Sequence, residues 1–200
     1  ILARALNYKT DTVDKPSVDL SNPGVDCQAI MEGSHIDIIE MDAASHTGID
    51  DIKQIIDGVR YAPVSARYKV YIIDEIHMLS EKAFNALLKT LEEPPPHAKF
   101  IFATTEIRKV PITVLSRCQR FDLRRIETDQ MVAHLRSIVD QESVVADDEA
   151  LGMIARAGEG SVRDALSILD QAIAHSSGNV DPDAVRAMLG LADRARIVDL

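Results

Sequence analysis

The chain alternates short apolar runs with amphipathic stretches. Val70-Tyr71-Ile72-Ile73 is the clearest run, and it leads straight into Asp74-Glu75. A continuous run of this length predicts a strand covered on both faces, as in a helix-covered parallel sheet. Residues 35–41 and 99–103 predict two further strands and residues 118–123 a last one. Between them the spacing is helical. Ile52, Ile55, Ile56 and Val59 share one face of a helix capped by Asp50 or Asp51 and running to about Gly58. Phe84, Leu87, Leu88 and Leu91 follow the N-cap candidate Ser80, and Pro94, Pro95 and Pro96 stop that helix. Shorter helices are expected at 27–31, ended by Gly33, and at 111–115. Residues 9–26, with Pro16, Pro23 and Gly24, read as irregular. Ile1 to Leu6 shows helical spacing with no preceding cap, so a structured segment is expected upstream.

Strands alternating with helices argue for βα units that build a parallel sheet. After Arg125 only helical patterns remain, at 129–141, 147–157, 161–175 and 181–189, each beginning at a Ser or Asp. A domain boundary is therefore expected near 124–127. From about Leu191 the chain reads as the start of a further, truncated segment.

The 46% hydrophobic content supports a sizeable core, and with 4% aromatics and no Trp the packing must be aliphatic. The formal charge of −10 weakens the case for autonomous nucleic-acid binding. Two cysteines, Cys27 and Cys118, give neither a disulfide framework nor a metal-binding spacing, and a reducing cytoplasmic setting is expected. No apolar run approaches a membrane span.

Open α/β sheets bind ligands beyond the carboxyl ends of their strands, which is where Asp74 and Glu75 fall. In nucleotide hydrolases one such acid holds Mg2+ and a second polarises a water against the terminal phosphate. Two acids ending a strand equally suit a solvated turn. Thr104 and Thr105 end the next strand and would bring hydroxyls to the same place; a turn hydroxyl bonding its own backbone is the other reading. Arg117, in Ser116-Arg117-Cys118, is flanked by small residues that leave its guanidinium exposed. It can then enter a neighbouring subunit's site, or simply be solvated. Arg163 lies in the first turn of a helix that Ser161 can cap, against the helix dipole. An anionic ligand across a domain cleft would account for it, as would neutralisation by Asp164. Arg108, Lys109, Arg117, Arg120, Arg124 and Arg125 concentrate positive charge suited to DNA phosphates or to an acidic partner protein. His35, His46, His77 and His97 show no metal-ligand spacing, and hydrogen-bonding or solvated roles are expected.

Several segments together resemble the gamma/tau family of bacterial DNA polymerase III clamp-loader subunits, which are AAA+ ATPases. They are Glu40-Met41-Asp42-Ala43-Ala44-Ser45, Tyr71 to Ser80, Phe84 to Pro95, Phe102-Ala103-Thr104-Thr105-Glu106, Ser116-Arg117-Cys118 and Gly160 to Ser167. The resemblance implies an α/β, parallel-sheet P-loop NTPase (AAA+) core over residues 1–125. A small all-helical lid would follow at 126–190, and the start of a truncated C-terminal collar domain at 191–200. It implies that Asp74 is the Walker B acid binding the Mg2+ of ATP, and Glu75 the catalytic base. The phosphate sensor would be Thr104 or Thr105, with Thr105 favoured. Arg117 resembles an arginine finger acting on ATP held by an adjacent subunit, and Arg163 a sensor arginine contacting ATP in its own subunit. ATP and Mg2+ are the implied cofactors. The implied function is an ATP-hydrolysing motor within the DNA polymerase III holoenzyme that opens the sliding clamp and loads it onto primed DNA. The implied partners are the delta and delta-prime subunits, further gamma/tau copies, the sliding clamp and primer-template DNA through its backbone. The replicative polymerase and helicase would be added if a tau-type tail exists, and no membrane is implied.

Two departures from the family pattern stand out. The phosphate-binding run GxxxxGK[ST] is absent from these 200 residues. In the family it lies just before the helix matching Ile1 to Leu6, so the 200 residues alone are expected to bind ATP poorly or not at all. Family members also commonly carry a four-cysteine zinc module in the region matching 8–27. Only Cys27 remains, so zinc is not expected and that loop must hold by ordinary packing. Two alternatives stay open: a catalytically silent scaffold subunit of the delta-prime type, and a Holliday-junction or other DNA-remodelling AAA+ protein.

Overall fold

The computed structural model describes residues 1–45, 48–176 and 179–190, so His46 and the expected tail segment 191–200 lie outside the described residues. The chain divides between Arg120 and Phe121, a few residues before the expected boundary. In the first unit three strands, β1 (Ile38–Asp42), β2 (Lys69–Asp74) and β3 (Ala98–Phe102), form a parallel sheet in the order β1-β2-β3. The helices of this unit are α1 (Leu2–Leu6), α2 (Cys27–Met31), α3 (Ile49–Val59), α4 (Glu81–Glu92) and α5 (Ile112–Leu115).

The middle strand carries the core. Val70, Tyr71 and Ile73 are buried while Ile72 is only partly covered, so one face is packed less completely than the apolar run suggests. Ile52, Ile55 and Val59 of α3 and Ala83, Phe84 and Leu87 of α4 pack with Tyr71 and Ile73. Tyr71 also stacks on its register partner Phe100, with ring centroids 5.3 Å apart. Burial, with a smaller push from the Asp37 charge, raises the Tyr71 hydroxyl to about 12. A Cβ at Gly58 would lie 3.3 Å from that hydroxyl oxygen, so this helical glycine makes room for the ring's tip.

Ser80 caps α4 as expected, its hydroxyl accepting the Ala83 N–H at 3.3 Å. Two other expectations need correction. The N-cap of α3 is Gly48; Asp50 and Asp51 lie inside the first turn, where their charges face the helix dipole favourably without capping. Residues 118–123 form no strand: 119–127 carry no regular structure, and Phe121 and Leu123 are exposed. A strand requires a ladder partner, and this segment pairs with neither β1 nor β3.

Two buried polar side chains fix the start of β2. Asn7, 3% exposed, donates through Nδ2 to the Tyr68 carbonyl and accepts the Tyr68 N–H, at 3.0 and 2.7 Å. Asp37, fully buried, accepts the N–H groups of Val64, Ser65 and Ala66 at 2.8, 2.9 and 2.9 Å. Burial alone would raise this carboxyl, but the three backbone donors outweigh it and hold it below the usual range. The unfolded chain therefore takes up this proton first as the pH falls. The stabilisation is fully present above the unfolded value and is lost as pH falls through the folded one. Asp37→Asn turns an amide NH2 toward these donors and is expected to cost about 3 kcal/mol near pH 7. Urea titrations of both proteins should show the gap narrowing in acid.

The second unit contains α6 (Thr128–Gln141), α7 (Asp148–Ala157), α8 (Val162–His175) and α9 (Pro182–Met188). It is not wholly helical: β4 (Val145–Ala146) pairs in parallel with β5 (Asn179–Val180), and two-residue strands leave no periodic signal. Met131, Leu135 and Val139, four apart on α6, pack with Leu151 and Ile154 of α7 and Leu169 of α8. Only two of the four expected caps close with a side chain. Ser161 accepts the Asp164 N–H and Asp181 accepts the Ala184 N–H, whereas Asp147 makes no cap bond and the N-cap of α6 is Glu127. Gly160 holds φ +78, and a Cβ there would fall 2.7 Å from the Arg125 Cβ, so the turn before α8 requires glycine. No helix among the described residues is long and apolar enough to cross a membrane.

Candidate functional site

The carboxyl ends of the three strands gather the chemistry. Asp42 and Asp74 are register partners at the ends of β1 and β2. The Asp42 carboxylate closes its own turn, accepting the Ala44 N–H at 2.8 Å and the Ser45 hydroxyl at 3.0 Å. Asp74 Oδ1 accepts the Glu75 N–H at 2.9 Å, and Oδ2 carries no hydrogen bond among the described residues. Glu75 itself adopts a left-handed backbone, φ +45, which costs a non-glycine residue about 1–2 kcal/mol. The conformation is enforced by its surroundings. The Ile76 N–H reaches across to the Ala103 carbonyl at 3.0 Å, and the Met78 N–H closes a 3₁₀ turn (Ile76–Met78) on the Glu75 carbonyl at 2.8 Å.

That kink turns the Glu75 side chain toward the end of β3. The Thr105 N–H donates to Glu75 Oε2 at 3.1 Å, and the Thr105 hydroxyl lies 3.0 and 3.2 Å from Oε2 and Oε1. Thr104 is oriented differently. Its hydroxyl oxygen accepts the Glu106 N–H at 3.0 Å, the turn bond that the alternative reading of this residue requires, and lies 2.9 Å from Nδ1 of His77. A hydrogen bond from the Lys109 ammonium, 2.7 Å away, holds the Glu106 carboxyl below its usual range.

The structure thus brings Asp74, Glu75, Thr104 and Thr105 together at the strand ends of the first unit, with Arg117 farther along the same unit and Arg163 in the second. Arg117 follows α5, and its guanidinium is not free as its small neighbours suggest. It donates to the Thr113 carbonyl and to Glu92 at the end of α4. Arg163, in the first turn of α8 in the second unit, is exposed, and its guanidinium makes no ion pair or hydrogen bond among the described residues. Asp164 therefore does not neutralise it by contact. Of the basic residues singled out in the sequence, Lys109 and Arg117 bond to Glu106 and Glu92 in the first unit, and Arg125 to the Glu159 carbonyl in the second. Cys118 is half-buried against the first core, and burial pushes its thiol up. Cys27 is buried, and its sulfur accepts the Gly24 N–H at 3.2 Å.

Sequence reasoning missed two partners of the candidate residues. Glu92 is 25 residues from Arg117, a separation at which no local pattern signals a pair. His77 stands two residues after Glu75, and only the left-handed turn between them brings the ring back to the carboxylate.

A hard, partly free carboxylate oxygen at a strand end suits Mg2+, which takes one or two protein carboxylates plus phosphate and water oxygens. Among the described residues no group of three or more His, Cys, Asp or Glu side chains could hold a metal without such a ligand.

The profile of DNA polymerase III, delta subunit, matches residues 2–127, and that of the DNA polymerase III clamp loader subunit ATPase lid domain matches residues 130–178. DNA polymerase III subunit tau of Escherichia coli (strain K12) is 47% identical over 200 residues, 100% of this chain and 30% of that protein. The tau subunit of Bacillus subtilis (strain 168) is 52% identical over 176 residues, 88% of this chain and 31% of its own length. The chain thus spans about a third of the length of these relatives. Among solved structures, the Thermotoga maritima RuvB Holliday junction branch migration motor superposes with a TM-score of 0.66 at 18% identity, covering 82% of this chain and 55% of that one. That likeness carries the fold alone, a parallel-sheet core followed by a helical lid, and nothing about a Holliday junction. With both profiles and the tau relatives agreeing along its length, the chain belongs to the gamma/tau family of DNA polymerase III clamp-loader subunits.

Proposed function

We propose that this chain is the nucleotide-binding part of an ATP-hydrolysing clamp-loader subunit, with Asp74 and Glu75 at the centre of the reaction. The observation that carries this reading is the contact of the Thr105 N–H and hydroxyl with the Glu75 carboxylate, beside an Asp74 oxygen left free for a cation. Bound Mg2+-ATP supplies the electrophilic terminal phosphorus and the cation that neutralises charge developing on its oxygens. Asp74 would hold the cation. Glu75 accepts the proton of the attacking water as the new phosphorus–oxygen bond forms and the bond to the bridging oxygen breaks. Thr105 holds that carboxylate through its N–H and hydroxyl, and the hydroxyl would turn to the terminal phosphate when ATP is bound; Thr104, tied to Glu106 and His77, shapes the adjoining turn.

Arg117 serves the site of an adjacent subunit, and Arg163, exposed and unpaired among the described residues, meets the phosphates of its own subunit's ATP. Delta-type subunits, further copies, the sliding clamp and primed DNA through its backbone are the partners of this reading. The relatives' identity favours it over a Holliday-junction motor, since 47% to a tau subunit outweighs 18% to RuvB.

The test is ATP hydrolysis by the full-length chain, reconstituted with its partner subunits, with and without clamp and primed DNA. Turnover stimulated by both supports the motor. An assembly that forms and loads clamps while this subunit hydrolyses nothing overturns it in favour of the silent scaffold.

A further inference from the structure

The His77 ring is buried, its side chain 6% exposed, and it is wedged between the two strand ends that form the site. Its Nδ1 lies 3.1 Å from Glu75 Oε2 and 2.9 Å from the Thr104 hydroxyl oxygen. Two lone pairs cannot face one another at such a distance, so the carboxylate selects the ring form in which Nδ1 carries the hydrogen. The hydrogen bond goes to the Thr104 hydroxyl oxygen, and Glu75 Oε2 lies against the same nitrogen as a close polar contact. The other ring nitrogen lies 3.7 Å from Glu106, beyond hydrogen-bond distance.

The consequence falls on the carboxylate. Oε2 receives two donors, the Thr105 N–H and the nearer arm of the Thr105 hydroxyl, and faces the His77 Nδ1 edge at 3.1 Å. Oε1 receives only the longer arm of that hydroxyl, at 3.2 Å. The Glu75 side chain is 30% exposed, so the less occupied oxygen can meet water. A carboxylate pinned through one oxygen has a fixed plane, and its basic lone pairs lie on the other.

We propose that His77 is a positioning residue for Glu75: its Nδ1 edge, fixed on the Thr104 hydroxyl and 3.1 Å from Oε2, joins the two Thr105 donors in engaging Oε2 and presents Oε1 as the oxygen that takes the proton. The left-handed backbone at Glu75 belongs to the same device, since it folds residue 77 back onto residue 75. This rests on the reading of Glu75 as proton acceptor.

The experiment compares His77→Ala, His77→Asn, His77→Gln and Glu75→Gln in the full-length chain within the reconstituted assembly. It measures kcat, equilibrium binding of Mg2+-ATP and thermal unfolding. Loss of orientation at the base costs roughly 100-fold in kcat, so His77→Ala is expected to fall by about that factor while ATP affinity is retained. Asn places an amide N–H near the Nδ1 position and is expected to recover most of the rate; Gln places it near Nε2 and is not. The proposal is overturned if His77→Ala keeps its kcat while Glu75→Gln loses turnover. Equal losses in Asn and Gln, or a loss that follows thermal stability alone, also overturn it. If Glu75→Gln retains turnover, the underlying reading of Glu75 fails instead.

Discussion

Glu75→Gln should leave ATP binding intact and lower DNA-stimulated turnover about 10²–10⁴-fold, the range that a positioned general base contributes. The substitution is nearly isosteric. Its amide oxygen can occupy the Oε2 position and keep the Thr105 N–H and hydroxyl and the His77 contact. Its NH2 then occupies the Oε1 position, which is the one meant to accept a proton. The protein therefore keeps its hydrogen-bond frame and loses only the basic lone pair. Asp74, one residue away, keeps its free Oδ2 for the cation, so affinity for Mg2+-ATP should be preserved. Single-turnover hydrolysis and equilibrium binding, measured on the same full-length assembly, separate the two quantities. Normal DNA-stimulated hydrolysis in this variant would remove Glu75 from the role.

How far the sequence anticipates this site depends on how local each signal is. The three strands and the two helices packed on them are legible because their apolar residues recur at fixed spacing, as at Ile52, Ile55 and Val59 or Phe84 and Leu87. The paired acids at the end of β2 are legible for the same reason, since a buried run ends at them. Pairing is not local, and there the reading fails. Residues 118–123 have strand-like composition but no partner strand, so they stay irregular. Val145–Ala146 and Asn179–Val180 lack composition but find each other across more than thirty residues. Asp37 gives no local signal of burial, yet it is fully buried, because three N–H groups from residues 64–66 converge on it. His77 is hidden by geometry: residues i and i+2 lie on the same side of a strand, but here a left-handed turn separates them and still brings them together.

Arg117→Ala should cut turnover only in the assembled ring, by about 10³-fold or more, the range attributed to an arginine finger supplied by a neighbour. Binding of ATP to the isolated subunit should be unchanged. In this chain the guanidinium is folded back, donating to the Thr113 carbonyl and to Glu92. That arrangement must open for the arginine to reach another subunit's phosphates. The ion pair is half-open to solvent, with side-chain exposures of 31% and 51%. Exposed pairs of this kind stabilise by about 0–1 kcal/mol, well below the several kcal/mol that a 10³-fold rate effect represents. A neighbour's triphosphate, with its concentrated charge and bidentate geometry, can therefore outcompete Glu92. The same weakness explains why removing Arg117 should barely disturb the fold: α5 is held by Val114 in the core, not by the arginine. Turnover by the ring and ATP affinity of the lone subunit are the two measurements. A variant impaired equally in both would show that Arg117 acts within its own subunit, and the assignment in trans would fall.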